Sequence, residues 1–280
     1  MSMIKLCAFD LDGTLLAPDG TMSKKTAEAL VCLSEHGIVP ALISGRSPVY
    51  VGAFLLYAGV RGYVAGSNGS YITSPDGKVI YRNPFPPELA AAITSKLSDR
   101  SSIFAVQTAD SIIGNRSMNS VLNNRFSAYC RMASELGLII GLPQSDPTIS
   151  GNMMSGILKI AVTHDPQGIS SCLEELSAAF PEITVSLSGP TVGDINLSGD
   201  SKGSALKRIA EDLGVSSDEI CSMGDYDNDL SMFRESGFSV AMGNSTPAVL
   251  DAAGYITSTN AEDGAADAIM RILLSRSNDN

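Results

Sequence analysis

The segment KLCAFDLDGTLLAPDG (Lys5–Gly20) runs from apolar residues straight into two aspartates, Asp10 and Asp12, one residue apart and followed by Gly13. Like charges at that spacing repel, so the pair costs stability unless something is bound beside it. An isolated Asp-X-Asp-Gly is most simply a strand running into a polar turn. Whether this one means more depends on what the rest of the chain brings to it.

Working outward, IKLCAF reads as a buried strand and SKKTAEALVCLSEHG as a helix, with Ser23 as N-cap and Gly37 where the helix stops. IVPALIS is a second strand, blemished by Pro40, and SPVYVGAFLLYAG a second helix closed by Gly59. Strands and helices alternating in this way predict an α/β fold, a Rossmann-like doubly wound parallel sheet. YVAGSNGSYITSPDGKVIYRN then reads as strands joined by a tight Pro-Asp-Gly turn.

From Asn83 the texture changes. NPFPPELAAAITSKLS opens with three prolines, and helix-like stretches near Glu88–Leu97 and Val121–Leu136 follow. Strand-like IFAVQT, ILKIAVTH and ITVSLS and the helical QGISSCLEELSAAF complete a separate small α/β unit. The first texture resumes near SLSGPTVGDINLS, with SKGSALKRIAEDLG a helix stopped by Gly214 and EICSMGD a strand. The expected organisation is a core of residues 1–83 and 190–280, interrupted by an inserted domain over 84–189.

Composition narrows the function classes. The chain has 280 residues, 44% hydrophobic and 18% charged, as expected of a folded globular protein. Its formal net charge is −11 and no Lys/Arg run stands out, which argues against a nucleic-acid groove or an anionic membrane surface. Five cysteines include no C-x-x-C pair, so neither a zinc site nor a disulfide framework is indicated, and Cys7 and Cys221 read as buried free thiols. MSMIKLCAF lacks the apolar stretch of a signal peptide, and no run approaches the roughly 20 apolar residues of a membrane helix. A cytoplasmic location is expected; the sequence carries no signal for oligomeric state.

In doubly wound sheets ligands bind beyond the carboxyl ends of the strands. There the sequence places Asp10-Leu11-Asp12-Gly13-Thr14, then Ser44-Gly45-Arg46, then Gly224-Asp225-Tyr226-Asp227-Asn228-Asp229, while Lys202 opens a helix. Asp10, Asp12 and Asp225 offer only hard oxygen ligands, which suit Mg²⁺ rather than zinc. A bound Mg²⁺ would offset the repulsion in the opening pair and attract a phosphate. Its remaining oxygens would find a hydroxyl at Ser44, close backbone N–H at Gly45 and a point charge at Lys202. An aspartate carboxylate is a competent nucleophile toward phosphorus, and a second carboxylate two residues on can protonate the leaving oxygen and then activate water.

These segments resemble a family. DLDGT, ISGR, SKGSAL and GDYDND are similar, in order, to the four motifs of the haloacid dehalogenase superfamily of phosphohydrolases, and GSNGS, VAMGN and STNAEDGAADAI resemble its Cof-type branch. The resemblance implies a Rossmannoid core with a C2-type cap inserted between the second and third motifs. It implies Asp10 as nucleophile and Mg²⁺ ligand, and Asp12 as general acid/base with its backbone carbonyl on the metal. Ser44, Gly45, Lys202 and the backbone N–H of Leu11 would hold the phosphoryl group, with Asn228 near it. Asp225 would complete the metal site, with Asp229 behind it. Tyr226 departs from the branch, where a small residue is common, and is expected to narrow the crevice.

Thr14 reads as bracing the loop. Arg46 is either a phosphate contact or a surface ion pair, Asn68 either a substrate contact or a turn former, and Asp200 and Asp227 read as solvated. The implied activity is hydrolysis of a small phosphorylated metabolite such as a sugar phosphate; transfer to a second sugar and a non-catalytic phosphosugar-binding regulator are the alternatives. GDSKG (Gly199–Gly203) matches the nucleophile elbow of α/β-hydrolases, but both histidines, His36 and His164, precede Ser201, contrary to that fold's order. Neither a P-loop nor a dinucleotide fingerprint is present.

Overall fold

The computed structural model describes residues 3–115, 134, 136, 144–146, 149 and 155–277. Two sheets organise it. The larger runs in the order β14 (Tyr255–Ile256), β13 (Phe238–Ala241), β12 (Ile220–Gly224), β1 (Leu6–Phe9), β2 (Val39–Ile43), β3 (Tyr63–Gly66), β4 (Tyr71–Thr73), β5 (Val79–Arg82). It is parallel from β14 to β3, and β4 and β5 add an antiparallel edge.

β1 shows why the segment lies at the centre. All four of its residues are fully buried, as parallel strands covered on both faces require. Cys7 and Phe9 point to one side, packing with Leu30 and Leu33 of α1 (Lys24–Glu35), Phe54 of α2 (Pro48–Ala58) and Ile269 of the C-terminal helix (Gly264–Ser277). Leu6 and Ala8 point to the other, against Leu206 and Ile209 of the helix Lys202–Leu213 and Met232. Pro40 fits because Val39 donates to the Lys5 carbonyl on the β1 side. The missing N–H of Pro40 therefore faces β3, whose pairing begins only at Ala41↔Tyr63.

Sequence signals for helix ends are found where expected. Ser23 Oγ accepts from Thr26 N at 3.0 Å, and Gly59 and Gly214 cap their helices in the left-handed conformation. The stretch Val121–Leu136, read as a helix, lies almost entirely outside the described residues, as does Cys130.

The second sheet runs β10 (Ile183–Gly189), β11 (Val192–Leu197), β9 (Lys159–Thr163), β6 (Ile103–Gln107), β7 (Ile112–Gly114), β8 (Gln144–Ser145). One face packs Phe104, Val106, Ile160, Val162 and Ile195 against α3 (Pro87–Asp99) and α4 (Pro166–Ala179). The alternate residues of β6 and β9, among them Ala105, Gln107, Lys159 and Thr163, face a cavity beside the larger sheet. The return to the core, expected at residue 190, comes later by strand pairing: β11 is hydrogen-bonded to β9 and β10 of this sheet. Gly189 and Pro190 belong to the hairpin turn, and the chain crosses back over Ser198–Ser201.

Asp200, expected to be solvated, is buried at that crossing. It accepts from Tyr81 Oη at 2.8 Å and Asn83 Nδ2 at 2.9 Å, and the Arg208 guanidinium stacks 3.8 Å from the Tyr81 ring centroid. The outgoing and returning strands of the insert are thereby clasped to each other. Among the described residues, no helix is long and apolar enough to cross a membrane.

Candidate active site

β1 is flanked by β2 on one side and β12 on the other, so the chain winds in opposite directions from it. The carboxyl ends of β1 and β12 form the crevice where such sheets bind ligands. Asp10 N donates to Met223 O at 3.0 Å, which sets the residue after β1 beside the end of β12. Gly13 adopts φ +82, and any side chain there would overlap the Asp225 carboxylate. The glycine of the opening motif thus lets the loop close over Asp225.

Asp10, Asp225 and Asp229 each present a carboxylate oxygen within 4.8 Å of the others. Lys202, from the first turn of α5 (Lys202–Leu213), lies among them, with Nζ 2.6 Å from both Asp10 Oδ1 and Asp229 Oδ1. Thr14 Oγ1 donates to Asp225 Oδ1 at 3.0 Å. Asp229 has a different task from its neighbours. Its Oδ2 accepts the backbone N–H of Asp225 and Tyr226, each at 3.0 Å, so both its oxygens are committed to holding the loop and Lys202.

Three carboxylates around one ammonium leave excess negative charge. Burial raises the Asp10 pKa well above the usual carboxylate range, Lys202 opposes the rise, and Asp229 and Asp225 add to it. Asp225 is pushed up to about 7, by burial first and then by Asp229. Burial alone would lower Lys202, but Asp10 and Asp229 hold it above its ordinary value and charged. The cluster therefore suits a further cation. Its donors are all oxygen, and the buried Oδ1 of Asn228, which lines the same cavity, has no hydrogen-bond partner. Oxygen-only donors fit Mg²⁺.

Asp12 is held apart from this cluster. Arg46 grips it with both prongs, Nε to Oδ2 and Nη2 to Oδ1, each at 2.7 Å. Arg46, read as either a phosphate contact or a surface ion pair, makes a part-buried ion pair with Asp12. Ser44, Gly45, Arg46, Lys202, Asn228 and Tyr226 all line one cavity of about 630 Å³ with Asp10, Asp12 and Asp225. Leu11 directs its side chain into the core, and its carbonyl accepts from Thr14 and Leu16 N–H. Ser201 is the N-cap of α5, its Oγ taken by Ser204 N, and among the described residues neither it nor a histidine lines the cavity.

Asn68, expected as a substrate contact or turn former, forms a turn with φ 57 and directs its amide to Asp194 and Asn196 of the insert; it does not itself line the cavity. The sequence reading missed Lys159 and Asp194, which pair at 2.8 Å and both line the cavity. The signal was a charge interrupting an apolar strand, in LKIAV and in VGDINL. Asp227 is exposed, as expected, and accepts from Thr246 Oγ1 at 2.6 Å.

A family model described as haloacid dehalogenase-like hydrolase matches residues 7–269. The 5-amino-6-(5-phospho-D-ribitylamino)uracil phosphatase YcsE of Bacillus subtilis (strain 168) is 26% identical over 271 residues, covering 97% of this chain and 96% of its own. The HMP-PP phosphatase of Cronobacter sakazakii is 24% identical, covering 89% of this chain and 87% of its own. The crystal structure of a haloacid dehalogenase-like hydrolase from Bacteroides thetaiotaomicron is similar with a TM-score of 0.80 at 26% identity, over 96% of this chain and 99% of that one.

Proposed function

The chain belongs to the haloacid dehalogenase-like hydrolases, and on that footing we propose that it is a Mg²⁺-dependent phosphomonoester hydrolase working through an aspartyl-phosphate on Asp10. The observation that carries the reading is the buried Lys202 bonded to Asp10, with Asp225 beside it and Asp12 across the same cavity. The substrate class is a small phosphorylated metabolite, sugar phosphates included. The relatives support the class, since their names specify phosphatases of a ribitylaminouracil phosphate and of HMP-PP.

Lys202 holds Oδ1 of Asp10, which leaves Oδ2 to attack phosphorus. The new Oδ2–P bond forms as the ester P–O bond breaks, and Asp12 gives its proton to the departing alcohol. Asp12, now a carboxylate, takes a proton from water, whose oxygen attacks phosphorus and releases inorganic phosphate and free Asp10. Arg46 grips both oxygens of Asp12, so Asp12 must release one prong to carry the proton it gives, while the other prong keeps its direction. The Ser44 hydroxyl, the backbone N–H of Gly45 and Leu11, the Asn228 amide and Lys202 hold the non-reacting oxygens. Mg²⁺, held by Asp10, Asp225 and the Asp12 carbonyl, would offset the crowded carboxylates and the charge on the phosphoryl oxygens. Insert residues such as Gln107, Lys159 and Thr163 line the cavity together with the carboxylates, and closure of the insert over bound substrate would exclude bulk water.

The test is phosphate release from an aryl phosphate and a panel of sugar and nucleotide phosphates, with Mg²⁺ and with EDTA. Mg²⁺-dependent release is expected. Isomerised sugar phosphate without free phosphate would favour transfer to a second hydroxyl, and no product at all would favour a binder.

A further inference from the structure

Three buried side chains have no part in that reaction, although they lie against its phosphate loop. Lys159 and Asp194, both from the insert, pair with side-chain exposures of 5% and 0%. Two charges are removed from water only at a cost unless their remaining valences are filled. Here Asp194 Oδ2 accepts from Asn68 Nδ2 at 2.8 Å, and the same Nδ2 donates to Asn196 Oδ1 at 3.0 Å. Asn196 in turn donates to the Ser67 carbonyl at 2.8 Å and to Ser70 Oγ at 3.0 Å. The insert is thus hydrogen-bonded to the turn Ser67–Gly69 of the core.

That turn holds the loop expected to bind phosphate. Asn68 N donates to the Ser44 carbonyl at 2.9 Å and Ser67 N to the Arg46 carbonyl at 2.7 Å. Gly45, between those two anchors, abuts the network itself. A Cβ at Gly45 would stand 3.0 Å from Asp194 Oδ2 and 3.1 Å from both Asn68 Oδ1 and Lys159 Nζ. The backbone of the turn is strained: Ser67 (φ 51) and Asn68 (φ 57) are consecutive non-glycine residues in the left-handed region. Such strain persists where the surroundings over-determine it, and it concentrates at functional sites.

We propose that Lys159, Asp194 and Asn68 form a buried strut that positions the Ser44–Arg46 loop, so that the phosphate site is complete only when the insert is seated. They are positioning residues, acting on phosphate through the loop and not on the leaving group. The assignment rests on the phosphatase reading above, and its test separates the two.

The first variant is the double K159M/D194L, which removes both charges and leaves no unpaired ion in the interior. The second is Asn68→Gly, which keeps the left-handed backbone and the N–H to Ser44 but deletes the side-chain link to Asp194, leaving Asn196 alone between the insert and the turn. Both are compared with wild type by thermal midpoint, by kcat and KM for an aryl phosphate, and by the inhibition constant of inorganic phosphate. The strut predicts near-native midpoints, with kcat lowered and phosphate inhibition weakened by between about tenfold and a hundredfold, as displacement of a positioned group does. A folded double variant that raises KM for the ester but leaves phosphate inhibition unchanged would assign the pair to the leaving group and overturn the proposal. Unchanged constants throughout would overturn it as well. If the double variant does not fold, Asn68→Gly decides alone, and native phosphate inhibition in it refutes the strut. Should wild type release no phosphate from any ester, the phosphatase reading fails. The strut is then read by calorimetric titration of inorganic phosphate with Mg²⁺ into wild type and Asn68→Gly, where equal affinities refute it.

Discussion

Arg46 and Asp12 are 34 positions apart, yet their side chains meet as a two-pronged pair in the wall of the cavity. A planar fork of this kind fixes direction as well as charge, which a lysine cannot do. Arg46→Lys should therefore lower turnover about tenfold and Arg46→Ala about a hundredfold, part of the factor a well-placed general acid supplies. The thermal midpoint should hardly move in either. A kcat unchanged in Arg46→Ala would show that Asp12 needs no such guide. At this scale the sequence made the motif residues legible because three clusters directly follow their strands and Lys202 opens its helix. It could not show pairings such as Arg46 with Asp12, or Lys159 with Asp194, which exist only once the sheets are assembled. Asp200 was misjudged for the same reason: a polar residue in a Gly-Asp-Ser turn looks solvated until Tyr81 and Asn83 reach it from 119 and 117 positions away.

Asp225 carries a pH prediction. Its pKa is raised from 3.8 to about 7 by burial and by Asp229, so between those values the folded state binds more protons than the unfolded chain. Stability of the protein in EDTA should then fall as pH rises from about 4 to about 7, with the raised Asp10 adding in the same sense. Thermal midpoints across that range check it, and Mg²⁺ should flatten the slope. A midpoint that rises through the window would contradict the crowded-carboxylate account.

Among the elements, the two crossings between core and insert are joined by one carboxylate. Replacing Asp200 by Ala strips the acceptor from Tyr81 Oη and Asn83 Nδ2 at once. A loss of about 1–3 kcal/mol is expected, the usual consequence of leaving buried polar groups unpaired, and urea unfolding would measure it. No loss would mean that water replaces the clasp. Helix ends were readable here because their caps are local: Ser23, Gly59 and Gly214 act within one turn of themselves. The second crossing was not, because the Gly189-Pro190 turn of a hairpin uses the same residue types as a linker. Only the pairing of β11 with β9, through Val192↔Thr163 and its neighbours, tells the two apart.

At the scale of the whole molecule, a mostly parallel sheet presents carboxylates at one crevice and a mostly antiparallel insert lines the same cavity. The alternation of strands and helices around β1 made the first half of that legible from the sequence. Most of the inner face of the insert was opaque, since small residues such as Ala105 and Ala161 carry no chemical signature; only the charges of Lys159 and Asp194 within their apolar strands marked it. If the carboxylate cluster holds Mg²⁺, the ion should stabilise the folded protein by about 2.7 kcal/mol at a hundred times its Kd. Asp225→Asn should largely abolish that gain, which differential scanning calorimetry would register.

The most direct test of the account is phosphate release by Asp10→Asn, assayed beside wild type with saturating Mg²⁺ and a shared aryl phosphate. The account predicts a folded variant, no less stable than wild type in EDTA because one crowded charge is gone, whose turnover is lower by at least about a thousandfold, the scale of losing a nucleophile. Release at the wild-type rate from a pure, folded Asp10→Asn sample would contradict it and take the nucleophile away from Asp10.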